Sequence, residues 1–185
     1  MQIRANMNIS LVNPPAQTGL LAYYTFDNLL NKQGNPAWNG TLVGAAAINR
    51  TNPECVFTAD TCAAPSPCQE SLSIPTQGSK VTVGDVDVTG NQLTVEAMFN
   101  RSAPLNNGIY YGHLVSKHTD QNNVNYALLP NGCEITTSVS GYKAIFQTCV
   151  PELGKTYHVA MVYDGATLKF YRNGFLMSQT ACTGN

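Results

Sequence analysis

Residues Tyr157–Gly174 read YHVAMVYDGATLKFYRNG. Tyr157–Tyr163 is aromatic, aliphatic or β-branched apart from His158, which is the composition of a buried strand. Asp164-Gly165 is a turn dipeptide, and the glycine supplies the positive φ that a two-residue hairpin needs. Leu168, Phe170 and, out of phase, Tyr171 begin a second strand. Asn173-Gly174 turns the chain again into Phe175-Leu176-Met177. The stretch therefore predicts three antiparallel strands in a meander.

The rest of the chain has the same character. Gln92–Asn100 alternates: Leu93, Val95, Ala97 and Phe99 fall on one face, and Gln92, Thr94, Glu96 and Met98 on the other. A period of two with one apolar face is a strand that covers a core. Further strands are predicted at Leu20–Phe26, Thr41–Ala47, Ser71–Pro75 and Lys80–Val83. Four more are predicted at His113–Lys117, Tyr126–Leu129, Glu134–Ser138 and Tyr142–Thr148. Polar loops join them, and no helical period appears. Many short strands with regular turns predict an all-β antiparallel two-sheet sandwich or jelly roll.

Charged residues make up 11% of the 185 residues, against about 25% in an average soluble chain. Thr, Ser, Asn and Gly fill the difference, a profile of β-rich secreted proteins. Net charge is −1 and no basic run exists. Phosphate backbones and anionic membrane surfaces need clustered Lys and Arg, so neither nucleic acid nor direct membrane insertion is expected. Met1–Ser10 has no apolar stretch of a signal peptide, and no apolar run approaches membrane-spanning length. A secretion signal is expected to lie upstream of residue 1 or to have been removed.

The six cysteines are Cys55, Cys62, Cys68, Cys133, Cys149 and Cys182. Their spacing is not that of a zinc site, so disulfides in an oxidising compartment are the expectation. Cys133 and Cys149 sit in strand-like segments that could face each other across a hairpin, which suggests a Cys133–Cys149 bond. For the rest the pairing stays open, with two of the three loop cysteines bonded together and one left for Cys182. Four sequons occur, at Asn8, Asn39, Asn49 and Asn100; they permit glycosylation without requiring it.

Four segments in order carry a resemblance: GLLAYYTFD (19–27), SLSIPTQGSKVTVGD with LTVEAMFN (71–100), HLVSKHTDQNNVNYALL (113–129), and KTYHVAMVYDGATLKFYRNGFLMS (155–178). Together they resemble the laminin G-like, concanavalin A-like jelly-roll domains of secreted and cell-surface proteins. The resemblance implies two antiparallel sheets packed face to face over residues 19–185. Residues 1–18 then form a linker or the end of a preceding segment, and 49–69 form a disulfide-bearing insertion. It also implies strands beyond the fourth segment, so the domain is expected to continue past Asn185.

Function is read from candidate sites. Glucanases of this fold use paired carboxylates close together on a strand. Here Glu54, Glu70, Glu96, Glu134 and Glu152 are dispersed, and Glu96 stands alone on its face with an expected structural role. His158 is expected to be packed, and Ser116 beside His118 lacks an acid to complete a triad. The resemblance implies a calcium site at the sandwich rim. Asp27, Asn31 and Asn39 are its candidate ligands, with Asn35 in the same loop; the alternative is a calcium-free loop built on Asx turns. Two clusters are candidates for sugar binding: Trp38 alone, and Asn106, Asn107, Tyr110, Tyr111 and His113 together. The alternative is that the aromatic residues cover the ends of the core. These features point to a non-catalytic binding or adhesion module of a larger secreted or cell-surface protein. Its ligand would be a glycan or a protein, with other domains or chains of that protein as neighbours. A spacer without its own ligand is the alternative, and a glycoside hydrolase-like enzyme a distant one.

Overall fold

A computed structural model of the chain describes residues 19–26, 28–49, 71–101, 112–120 and 123–185. The described residues fall into two compact units, one ending at Asp87 and the other running from Val88 to Asn185.

In the first unit, four three-residue strands are nested: β1 (Thr41–Val43), β2 (Ala47–Asn49), β3 (Ser71–Ser73) and β4 (Lys80–Thr82). β1 pairs with β4 and β2 with β3, both antiparallel. The predicted single strand Thr41–Ala47 is thus two strands. The break falls at Gly44, whose φ of 67° lies outside the strand region and where the Ala45 N–H turns to Ser79 Oγ at 3.1 Å. A short 3-10 turn, Pro36–Trp38, precedes β1 and is capped by Asn35 Oδ1, which accepts from the Ala37 N–H.

The predicted strand Leu20–Phe26 does not form; none of these residues is in a ladder. Tyr23 gives its N–H to the Asn31 side chain at 3.0 Å and its carbonyl to the Lys32 N–H at 2.9 Å. Both of its ladder groups are thereby taken by the following loop, and Phe26 has φ of 58°. Local Asn chemistry overrides strand propensity here.

The second unit is the sandwich. One sheet has the order β12-β11-β10-β5, built from β5 (Leu93–Asn100), β10 (Thr156–Tyr163), β11 (Thr167–Arg172) and β12 (Phe175–Ala181). The other has the order β6-β7-β8-β9, from β6 (Val115–Asp120), β7 (Asn123–Leu129), β8 (Gly132–Thr137) and β9 (Gly141–Phe146). All neighbours are antiparallel. The sheets touch through β10 on β7, β11 on β8 and β9, and β12 on β9.

The core between them follows from the alternation. Leu93, Val95, Ala97 and Phe99 of β5 face Leu128 of β7, Cys133 and Ile135 of β8, and Ile145 of β9 through Val159, Met161, Leu168 and Phe170. Burial of a side chain such as Phe170 or Leu168 contributes roughly 1.5–3 kcal/mol each. Asn173 and Gly174, both at positive φ, make the β11–β12 turn that the sequence announces. The register shifts between Phe170 and Tyr171, leaving Met177 as the extra residue of β12, packed against the core.

Arg172 ends the inward row of β11 and is only 7% exposed. One guanidinium nitrogen donates to the Cys149 carbonyl at 3.1 Å, and the group lies 6.0 Å over the Tyr157 ring, itself stacked on Phe99. A desolvated cation on an aromatic face closes this end of the sandwich. At the other end, Thr183–Asn185 binds the β8–β9 turn. The Ser138 N–H donates to the Asn185 carbonyl and the Ser140 N–H to the Thr183 carbonyl.

The expected Cys133–Cys149 disulfide is corrected. Both are free thiols, as is Cys182. The register partner of Cys133 is Ile145, and its side chain is fully buried between the sheets, whereas Cys149 lies past the end of β9 and is exposed. Cys55, Cys62 and Cys68 lie outside the described residues, as do the predicted insertion from 50 on and the linker 1–18.

Candidate functional site

Strand alternation sends Leu128, Cys133, Ile135 and Ile145 into the core and the residues between them to the opposite face. On that outer face the register places Glu134 against Ala144 and Thr136 against Tyr142. The Tyr142 ring is 54% exposed. Partial burial first, and then the nearby Glu134 carboxylate, push its phenol above the usual range.

Two histidines lie at the opposite edge of the same sheet, His118 in β6 and His113 just before it. His113 and His118 flank the first half of β6, and their rings meet edge to face with centroids 5.0 Å apart. Both are exposed. Burial, and next the neighbouring His118, lower the pKa of His113, while the Glu134 charge opposes them. Glu134 is therefore electrostatically within reach of both a tyrosine and a histidine. The result is a half-exposed tyrosine and a carboxylate acceptor on the outer face of β8 and β9. Such a set can stack against an apolar ring face and hydrogen-bond hydroxyl groups at its edge.

Among the sequence candidates, His113 lies at the β6 edge of this sheet. Asn106, Asn107, Tyr110 and Tyr111 lie outside the described residues. Trp38 is elsewhere and is engaged: its indole N–H donates to the Asp85 carbonyl at 3.1 Å, and its own carbonyl accepts from the Tyr24 hydroxyl. Gly84 permits this contact, because a Cβ there would sit 2.0 Å from the Ala37 carbonyl oxygen. Trp38 thus ties the 3-10 turn to Asp85 within the first unit. Glu134, Tyr142 and His118 were not legible from the sequence. Their placement depends on the β8–β9 register and on His113 lying just outside β6.

Two of the three calcium candidates, Asn31 and Asn39, have their side-chain oxygens engaged by backbone N–H groups. Asn31 is buried, and its Oδ1 accepts from the N–H groups of Tyr23 at 3.0 Å and Gln33 at 3.2 Å. Asn39 Oδ1 accepts from the Asn31 N–H at 3.0 Å. Oxygen atoms already accepting N–H donors have fewer lone pairs left for a cation. The side chains organise the loop as Asx turns, and Asn35 caps the 3-10 turn. Asp27 lies outside the described residues.

Glu96 is not alone on its face. His158 Nε2 lies 3.2 Å from Glu96 Oε2 across the β5–β10 ladder. The imidazole is buried and the carboxylate side chain is 52% exposed. The hydrogen bond from His158 holds the Glu96 carboxyl below its ordinary range, against the opposing effect of burial. Among the described residues, no group of three or more His, Cys, Asp or Glu is placed to hold a metal ion, and no helix is long and apolar enough to cross a membrane.

Comparison with known proteins agrees with this architecture. A laminin G-type family model, described as the concanavalin A-like lectin/glucanases superfamily, matches residues 75–185. No curated protein and no solved structure matches the chain.

Proposed function

The chain belongs to the concanavalin A-like lectin/glucanase superfamily, whose laminin G-type domains bind carbohydrates or proteins in general, and we propose that it is a non-catalytic glycan-binding module. The outer face of the β6–β9 sheet carries the ligand. The observation behind this reading is the exposed Tyr142 beside the Glu134 carboxylate on the outer face of β8 and β9. The half-exposed Tyr142 ring gives a stacking surface, and Glu134 accepts hydrogen bonds from neighbouring hydroxyls of a neutral sugar. A carboxylate in this setting gives charge-assisted hydrogen bonds, which are roughly twice as strong as neutral ones.

The non-catalytic reading is supported by Glu96. Its partner on the strand face is the imidazole of His158, whereas glycoside hydrolysis needs a second carboxylate about 5–9.5 Å away. The low charge content favours a site outside the cell, as part of a larger secreted or surface protein.

A glycan array probed with the whole chain and with Tyr142→Ala tests the proposal. Retained binding spots that vanish in Y142A, with unchanged far-UV circular dichroism, support it. Spots that persist in Y142A and in Glu134→Gln, or an array with no spots at all, refute this face as the site.

A further inference from the structure

We infer that the ligand of the β8–β9 face is an extended, neutral oligosaccharide that lies along β9 on two aromatic rings, Tyr142 and Phe146, and not a single sugar unit. This rests on the reading of that face as a glycan site and names the class of glycan it takes.

Strand alternation supplies the second ring. Ile145 points into the core, so Ala144 and Phe146 share the outer face of β9 with Tyr142. Across the ladder, Tyr142 pairs with Thr136, Ala144 with Glu134 and Phe146 with Gly132. Phe146 is 53% exposed, close to the value for Tyr142. Its ring rests on the neighbouring backbone: a Cβ added to Gly132 would stand 2.9 Å from Phe146 Cδ1 and 2.0 Å from the Ile145 carbonyl oxygen. Glycine inside a strand marks such a close approach. The missing side chain at Gly132 lets the phenyl ring lie over β8 and keep its other side toward solvent.

Spacing decides the size of the ligand. Residues four apart on a strand are separated by roughly 13 Å along it. A pyranose ring is about as wide as a phenyl ring, so one sugar unit covers one aromatic and cannot reach both. A chain of linked pyranoses reaches both, stacking an apolar C–H face on each ring. Ala144 between the rings carries only a methyl group, which leaves a low floor for the chain to cross. Glu134 pairs with Ala144 midway, where its carboxylate accepts hydrogen bonds from hydroxyls of the intervening units.

Charge decides the kind of chain. The three outer-face pairs hold one carboxylate and no Lys or Arg, because Lys143 falls on the inner row with Ile135 and Ile145. A uronic or sulfated chain would meet Glu134 without a counter-charge, and like charges brought together oppose binding.

The test is a glycan array of neutral and acidic glycans graded from monosaccharides to hexasaccharides. It is probed with the full chain and with Phe146→Ala, Phe146→Leu and Tyr142→Ala, and the bound series is then titrated by calorimetry. In the wild type, affinity should rise by about tenfold once the neutral chain spans both rings, the worth of one added aromatic contact. F146A and F146L should each remove that rise and leave the shortest bound glycan at wild-type affinity. F146L keeps an apolar cover over Gly132, so a loss shared by both variants does not come from unfolding. Y142A should remove binding at every length. Affinity that does not change with length, long-chain binding unaltered in F146A and F146L, or binding confined to acidic glycans overturns this inference while the glycan reading stands. An array with no spots overturns both.

Discussion

His158 and Glu96 form a hydrogen-bonded pair across β5 and β10, with the imidazole buried and the carboxylate facing solvent. The buried partner anchors the exposed one. His158→Ala removes a packed ring and the Glu96 hydrogen bond, and should cost about 1–3 kcal/mol in denaturant unfolding. Glu96→Gln keeps a hydrogen-bond acceptor and should cost less.

The same pair sets a pH response. The Glu96 carboxyl titrates below its ordinary value of 4.5 in the folded chain. Its contribution is therefore fully present above that value and is lost as the pH falls through the lowered folded pKa. Carboxyl chemical shifts should show Glu96 titrating low in the wild type and returning toward 4.5 in H158A.

Asp164 gives a sharper case at the β10–β11 turn. Its Oδ1 accepts from the N–H groups of Ala166 at 3.0 Å and Thr167 at 2.8 Å, while Oδ2 meets Lys169 Nζ. The Lys169 hydrogen bond first, and then these backbone bonds, lower its pKa from 3.8 to about 2. Stability contributed by this turn should hold above pH 3.8 and decline as the pH falls toward 2. A carboxyl resonance of Asp164 that titrates near 3.8 would contradict the arrangement.

Thiol reactivity should divide the cysteines of the sandwich. Burial pushes the Cys133 thiol up to about 12, and Cys182 is fully buried. Thiolate is the reactive form, so native iodoacetamide treatment at pH 8 should modify Cys149 and spare Cys133 and Cys182 until the chain is unfolded. Peptide mass mapping reads the difference directly.

The asparagine loop predicts indifference to calcium. Asn31→Ala leaves the Tyr23 and Gln33 N–H groups without their acceptor and should destabilise the first unit by about 1–3 kcal/mol. Asn31→Asp keeps the acceptor and should be milder. EDTA and added calcium should leave the wild-type melting temperature where it is.

The sandwich was legible because its signals are local. The alternation of Gln92–Asn100 and the Asp164-Gly165 and Asn173-Gly174 turns specify strands and their partners within a few residues of each other. Leu20–Phe26 misled for the complementary reason: its aromatics promise a strand, but the Asn31 side chain eight residues on captures the backbone of Tyr23. The candidate site was legible only at His113. Tyr142 and Glu134 come near each other through ladder register, which leaves no mark on the order of residues. The cysteines misled because strand-like surroundings say nothing about facing: Cys133 points inward while Cys149 has left the sheet.

The nested ladders of the first unit bear on how this chain tolerates change in length. Asn49 and Ser71 are register partners at the last rung of β2–β3, so residues 50–70 depart from and return to adjacent points of one hairpin. With the ends clamped, the closure entropy of the intervening segment grows slowly with its length, about 0.6 kcal/mol for each doubling. The rung Asn49–Ser71 is therefore a graft point: a foreign peptide spliced there should be displayed with little loss of stability.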